Sequence, residues 1–313
     1  MQLEKDLTIA VFCNRKDLFL AKICVASIRY YYPLIQIELI KDAANGDFAT
    51  KDLETYFNVK LINLGVVRMG WGASKIHYLA LLAKNKKVLM LDADIVFIGP
   101  FLARLKDDLM HHDWIVSSEE VVDPYDPYIF DTYFDYAKIK LEYPNYLYPG
   151  FVFNTGQLLV TGGAILKIDL DPYFDFDKFP FWKRRDLFPL VDQSLLNIML
   201  PILSLKKRLK ISKQKFMIWG MSDAALNLSI KAIKDKSSTQ GLIHWAGGTR
   251  IPYVRKMSRG DILLFFEDYY YKKVSFGTIK KMNTRTISYL DFHLRKIYRK
   301  TLKKIFKKNN IIQ

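Results

Sequence analysis

The chain has 313 residues, half of them hydrophobic and 14% aromatic, and a formal net charge of +16. This composition excludes a disordered chain, and two cysteines, Cys13 and Cys24, make neither a disulfide framework nor a C-x-x-C metal pair. No stretch approaches the ~20 apolar residues of a membrane span and the first residues carry no apolar signal segment, so the expected setting is cytoplasmic.

Leu7 to Cys13 is a continuous apolar run of strand length, as expected of a buried parallel strand. After the polar Asn14-Arg15-Lys16-Asp17, the stripe Leu18, Ala21, Cys24, Val25 and Ile28 predicts a helix ending before Pro33. Ile35 to Ile40 alternates and reads as a second strand, and Asn58 to Ile62 as a short third. Gly70-Trp71-Gly72 reads as loop and Ala73 to Ala83 as a helix. Val88 to Leu91 is another buried strand, ending in Asp92-Ala93-Asp94. Strands alternating with helices in this way predict an α/β sheet with helical cover. Asp123 to Gly150, crowded with Tyr, Asp and Pro, is expected to be a long functional loop. A strand over Thr155 to Val160, a helix over Leu187 to Leu200 and a short strand at Leu242-Ile243 follow. The expected division is a catalytic domain over 1–265 and a basic helical extension over 266–313.

Asp92 and Asp94 follow a buried strand directly. Ligands of open α/β sheets bind beyond the carboxyl ends of the strands. Two neighbouring carboxylates in such a place repel, and a divalent cation removes the repulsion by taking their oxygens as ligands. Such a cation bridges diphosphate oxygens and stabilises the charge that grows on a departing phosphate. By itself D-x-D also occurs in solvated turns; here the apolar runs on both sides favour a site.

Five motifs, in order, resemble the family 8 retaining glycosyltransferases over roughly residues 7 to 255. They are Ala73-Ser-Lys75 at the start of a helix, Lys87-Val-Leu-Met-Leu-Asp-Ala-Asp94, Phe153-Asn-Thr-Gly156, Asp192-Gln193 with Leu196-Asn197, and His244-Trp-Ala-Gly247 with Arg250. The resemblance implies a GT-A fold, a Rossmann-like mixed sheet flanked by helices, and transfer of a hexose with retention from a UDP-sugar to a glycan hydroxyl. Bacterial lipopolysaccharide galactosyl- and glucosyltransferases work in this way. It also implies roles. Asp92, Asp94 and His244 would hold the metal, an O/N set suited to Mn²⁺, with Mg²⁺ as the alternative. Lys75, Ala93, Gly247 and Arg250 would contact the donor, Arg250 at the diphosphate, and Gly247-Gly248 would allow close backbone approach. Asn154 would meet the donor sugar, and Asp192 and Gln193 would lie at the anomeric carbon as catalytic residues. Asn14 and Arg15, ending the first strand, are the nucleotide-side candidates. Two departures stand out. The closing basic residue is Arg250, not Lys, followed by Ile251-Pro252 in place of Pro-Trp. The first strand ends in Cys13-Asn14-Arg15, without the acidic residues often found there. Trp71 could cover the donor, and Tyr125, Tyr128, Tyr133 and Trp182 could form an acceptor platform or simply be core.

From Lys272 to Lys308 there are 13 Lys or Arg against Asp291 alone, so the basicity is concentrated in the tail. Ile287, Leu290, Leu294, Ile297, Leu302 and Ile305 approximate a helical stripe. A basic amphipathic helix reads first as an anionic-membrane binder, which suits a peripheral protein on the inner face of a membrane and a lipid-linked acceptor. No nucleic-acid recognition module is visible, and nucleic acid is not an expected partner. Two other functions compete. Asp92-Ala-Asp-Ile-Val96 fits an aspartyl-nucleophile phosphotransferase or phosphatase, although that motif normally ends the first strand of its domain. A non-catalytic, membrane-bound nucleotide-sugar or glycan-binding protein is the third reading.

Overall fold

Leu7–Asn14 forms β1, an interior strand of the main sheet. Its side chains alternate between two cores: Leu7, Ile9, Val11 and Cys13 join one cluster, Ala10 and Phe12 the other. A strand covered on both faces needs apolar residues at every position, and that is why this segment reads as an unbroken apolar run. The computed structural model describes residues 2–43, 46–64, 69, 72–179, 181–247, 250–251 and 253–309, with 299–309 as backbone only. Gly70, Trp71, Gly248 and Pro252 lie outside the described residues.

The main sheet continues with β2 (Gln36–Asp42), β3 (Val59–Asn63), β4 (Lys87–Asp92), β6 (Trp114–Glu120), β7 (Phe151–Thr161) and β8 (Ile211–Gln214), in the order β3-β2-β1-β4-β7-β6-β8. Strands β3, β2, β1 and β4 run parallel, whereas β7 is antiparallel to both β4 and β6. A second sheet of three short strands joins β5 (Ile95–Phe97), β10 (Leu242–His244) and β9 (Met217–Trp219).

Helix α1 (Leu18–Tyr31) covers one face together with α5 (Gly260–Lys273). Helices α3 (Ala73–Leu81) and α4 (Asp192–Leu205) pack on the other, and α2 (Lys51–Phe57) leads into β3. The basic tail is one long helix, α6 (Gly277–Asn309).

The expected second strand is present; Glu38 on it is buried, where it accepts hydrogen bonds from Tyr78 Oη at 2.7 Å and Lys86 Nζ at 2.8 Å, because helices cover both faces of the sheet. Two expectations need correction. The expected long loop over 123–150 contains two short helices, Pro127–Thr132 and Tyr136–Glu142, whose first turns are capped by the side chains of Asp126 and Asp135. The helix expected from Leu187 begins only at Asp192. Val191 has φ +47° and ψ −110°, which no helical turn accommodates, and the helix starts directly after it.

Candidate active site

The carboxyl ends of β1 and β4 open on a cavity of about 520 Å³, within the range of small-ligand pockets. Register explains who meets there. Phe12 is paired with Asp92, so Cys13 and Asn14 project past the strand that carries the acidic pair. Leu91 is paired with Gln157, which brings Gly156 alongside Asp92. His244 is paired with Ile95, the residue after Asp94, so the antiparallel β5–β10 ladder sets the histidine beside Asp94.

Asp92, Asp94 and His244 each offer one ligand atom within 4.8 Å of the others. His244 Nε2 lies 3.2 Å from Asp94 Oδ1. Asp94 Oδ1 and His244 Nδ1 are buried without a hydrogen-bond partner among the described residues. Buried polar atoms are seldom left unpaired, so an oxygen orphaned beside a carboxylate and an imidazole fits a cation. Gly156 makes the room: a Cβ there would lie 2.6 Å from His244 Cε1 and 3.1 Å from Asp92 Oδ2.

On the other side of the pair stands Lys75. Its ammonium is 2.7 Å from Asp92 Oδ1 and 3.3 Å from Asp192 Oδ2, and it donates to the Thr155 carbonyl at 3.0 Å. Lys75 sits in the first turn of α3, where the helix dipole disfavours a cation; the two carboxylates offset this. Burial alone would depress its pKa, but Asp192 and Asp92 outweigh burial and hold it above the ordinary lysine value. Burial raises the pKa of Asp92 despite Lys75. Asp94 goes the other way: burial would raise it, but the charges of His244 and Arg250 beside it outweigh burial and lower it.

Asp192 opens α4 and accepts from Thr155 Oγ1 at 2.8 Å. Gly72 (φ +74°) lies so close that a Cβ there would be 2.3 Å from Asp192 Oδ1. Asn154 Nδ2 donates to Gln193 Oε1 at 2.8 Å, and Gln193 Nε2 in turn donates to the Thr132 carbonyl at 2.8 Å. Arg250 Nη1 is 3.3 Å from both Asp94 Oδ2 and Asp17 Oδ1.

The cavity thus gathers Asn14, Lys75, Asp92, Ala93, Asp94, Asn154, Asp192, Gln193, His244, Gly247 and Arg250 from the sequence candidates. Arg15 is not among the lining residues; it is exposed, and Lys16 and Asp17 line the cavity in its place. Sequence reasoning missed Asp17, Asp42, Thr155 and Trp219. Asp17 and Asp42 supply carboxylates near the end of β1, where the sequence shows none within the strand itself. Of the aromatic candidates, Tyr133 is fully buried core, while Tyr125 and Tyr128 are exposed and outside the cavity lining. Trp182 packs edge-on against Phe174. Cys13 lines the cavity, but burial pushes its thiol pKa far up, so it offers no thiolate.

No protein-family model matches the chain, and no curated protein matches it in sequence. In three dimensions it is similar to solved glycosyltransferases. The galactosyltransferase LgtC, solved with donor and acceptor sugar analogues, aligns over 85% of this chain and 96% of its own, at 17% identity and a TM-score of 0.53. The bifunctional glycosyltransferase WbbM aligns over 90% of this chain and 52% of its own, at 14% identity and a TM-score of 0.56. This is the GT-A glycosyltransferase fold. Within the GT-A fold the cavity lies where the parallel half of the sheet ends, at the strand edge expected to bind ligands.

Proposed function

We propose that the chain is a metal-dependent glycosyltransferase that moves a hexose from a UDP-sugar to a hydroxyl of a glycan acceptor, with retention at the anomeric carbon. The carrying observation is one cavity that holds both a cation-ready Asp92–Asp94–His244 cluster and, across Lys75, the carboxylate of Asp192. A cation-binding end beside a second, separately held carboxylate suits a diphosphate linked to a sugar.

Asp92, Asp94 and His244 would hold the cation, and their O/N set suits Mn²⁺, with Mg²⁺ as the alternative. When bound, it supplies Lewis-acid stabilisation of the leaving diphosphate. Arg250 is within reach of Asp94 and offers a planar, bidentate phosphate donor; Gly247, at φ +62° with open space where a Cβ would be, leaves room for close approach. Asn14, Asp17 and Asp42 face the nucleoside end. Asn154, Gln193 and Asp192 face the sugar. Thr155 and Lys75 fix the Asp192 carboxylate, so it is oriented before substrate arrives and can order donor hydroxyls or stabilise positive charge on the anomeric carbon.

The tail is read as a membrane contact, which suits a lipid-linked acceptor in lipopolysaccharide or surface-glycan synthesis. What supports it is exposed apolar residues, Ile287, Leu290, Leu294 and Tyr298, on a helix rich in Lys and Arg. Among the described residues no helix is long and apolar enough to cross a membrane. The first part of α6 is tied to the body by Lys280–Asp52 (2.7 Å) and Arg285–Glu267 (2.8 Å).

The test is a panel of UDP-hexoses incubated with the protein, with and without Mn²⁺, followed by measurement of UDP release. Metal-dependent release from one donor is expected. Failure to bind any nucleotide sugar with metal present would overturn the reading.

A further inference from the structure

We infer that Trp219 is a positioning residue that orients the imidazole of His244 toward the cation site. The inference rests on the metal reading above and adds a residue outside the motifs that suggested that reading.

A histidine ligand must aim one ring nitrogen at the metal, yet rotation about its terminal torsion is soft and roughly two-fold. The usual device is a hydrogen bond from the second ring nitrogen to a carboxylate or carbonyl. His244 lacks it: Nδ1 is buried with no hydrogen-bond partner among the described residues. The side chain is only 2% exposed, so bulk water does not fill that role either.

The ring is held instead by its flat face. The Trp219 indole stacks on it with centroids 5.2 Å apart and planes 23° from parallel. The β9–β10 register sets this contact, pairing His244 with Trp219, and the Gly220 amide donates to the His244 carbonyl at 2.8 Å. The indole has an anchor of its own. Trp219 Nε1 donates to Glu119 Oε1 at 3.1 Å, and Glu119 Oε2 accepts from Tyr128 Oη at 2.7 Å. Glu119 belongs to the main sheet, so the chain Tyr128–Glu119–Trp219–His244 links it to the small one. Against the ring's Cε1 edge lies Gly156, where no Cβ fits. Face and edge together leave the imidazole one plane, with Nε2 toward Asp94.

The experiment titrates Mn²⁺ alone into wild-type protein and reads free Mn²⁺ from its electron paramagnetic resonance signal. Trp219→Leu removes the ring; Trp219→Phe keeps a stacking face but not the indole N–H. Trp219→Met fills more of the space without a ring and replaces the leucine variant if that does not fold. Loss of an orienting partner costs a metal site about 10–100-fold in affinity. A drop of that size is expected in the ringless variants, with Trp219→Phe restoring most of it. Wild-type affinity in a folded ringless variant overturns the inference while leaving the metal reading intact. An equal loss in Trp219→Phe also overturns it, because the N–H and not the stacked face would then be what matters. Absence of Mn²⁺ binding in the wild type contradicts the metal reading itself.

Discussion

Lys75 Nζ lies 2.7 Å from Asp92 Oδ1 and 3.3 Å from Asp192 Oδ2, so one buried ammonium links a carboxylate of the Asp92–Asp94–His244 cluster to the carboxylate of Asp192. The two halves of the cavity are therefore electrostatically joined. Removing the joint affects both.

Lys75→Met leaves two carboxylates facing each other, with Asp192 almost wholly buried. Breaking a buried pair costs about 3–5 kcal/mol; the lower end is expected, because the Asp92 side chain is one-third exposed. Urea unfolding should show a loss of about 3 kcal/mol without Mn²⁺. Added Mn²⁺ should recover part of it, since a ligand that binds only the folded state stabilises by mass action. Equal stability of variant and wild type would contradict the pairing.

Gly156→Ala inserts a methyl 2.6 Å from both His244 Cε1 and Asn154 Oδ1. Overpacking of this kind costs about 1–3 kcal/mol, so the fold should survive and the ligand geometry should not. Calorimetry with Mn²⁺ is expected to show affinity falling at least about tenfold while the variant still unfolds cooperatively.

Gly72→Ala acts on the other half. Its Cβ would lie 2.3 Å from Asp192 Oδ1, and φ of +74° disfavours any side chain. Displacing Asp192 should lower the turnover of donor hydrolysis more than the affinity for UDP. A variant with normal turnover would remove Asp192 from the reaction.

Deleting 294–313 removes eight Lys or Arg and keeps the ion pairs of Lys280 and Arg285 and the Tyr253 contacts with Tyr289 and Phe292. Each basic residue near an anionic surface contributes roughly 1 kcal/mol. Sedimentation with phosphatidylserine vesicles should show binding that the deletion abolishes and salt weakens, with UDP affinity unchanged. Undiminished vesicle binding would contradict the membrane role.

What the sequence made legible is what is local. β1 and β4 are covered on both faces and read as apolar runs, and Asp92-Ala93-Asp94 follows one of them directly. His244 was readable from its motif. Trp219 was not, because β9, which carries it, is three residues long, too short for any period to show. β6 begins apolar and ends Ser-Ser-Glu-Glu, with a register shift between Val116 and Ser118, so neither period fits it. Asp17, Asp42 and Glu119 come from separate elements, and only the sheet order brings them near the site. The capping carboxylates Asp126 and Asp135 were readable cues to the two short helices, but the density of Tyr and Pro around them looked like loop.

The most direct test of the account is calorimetric binding of UDP to the full chain, with and without Mn²⁺, for wild type and Asp94→Ala. Asp94 supplies the orphaned buried oxygen beside His244. The account predicts Mn²⁺-dependent binding of UDP in the wild type and loss of that dependence in Asp94→Ala. Equal binding with and without metal in the wild type, or unchanged metal dependence in the variant, would contradict it.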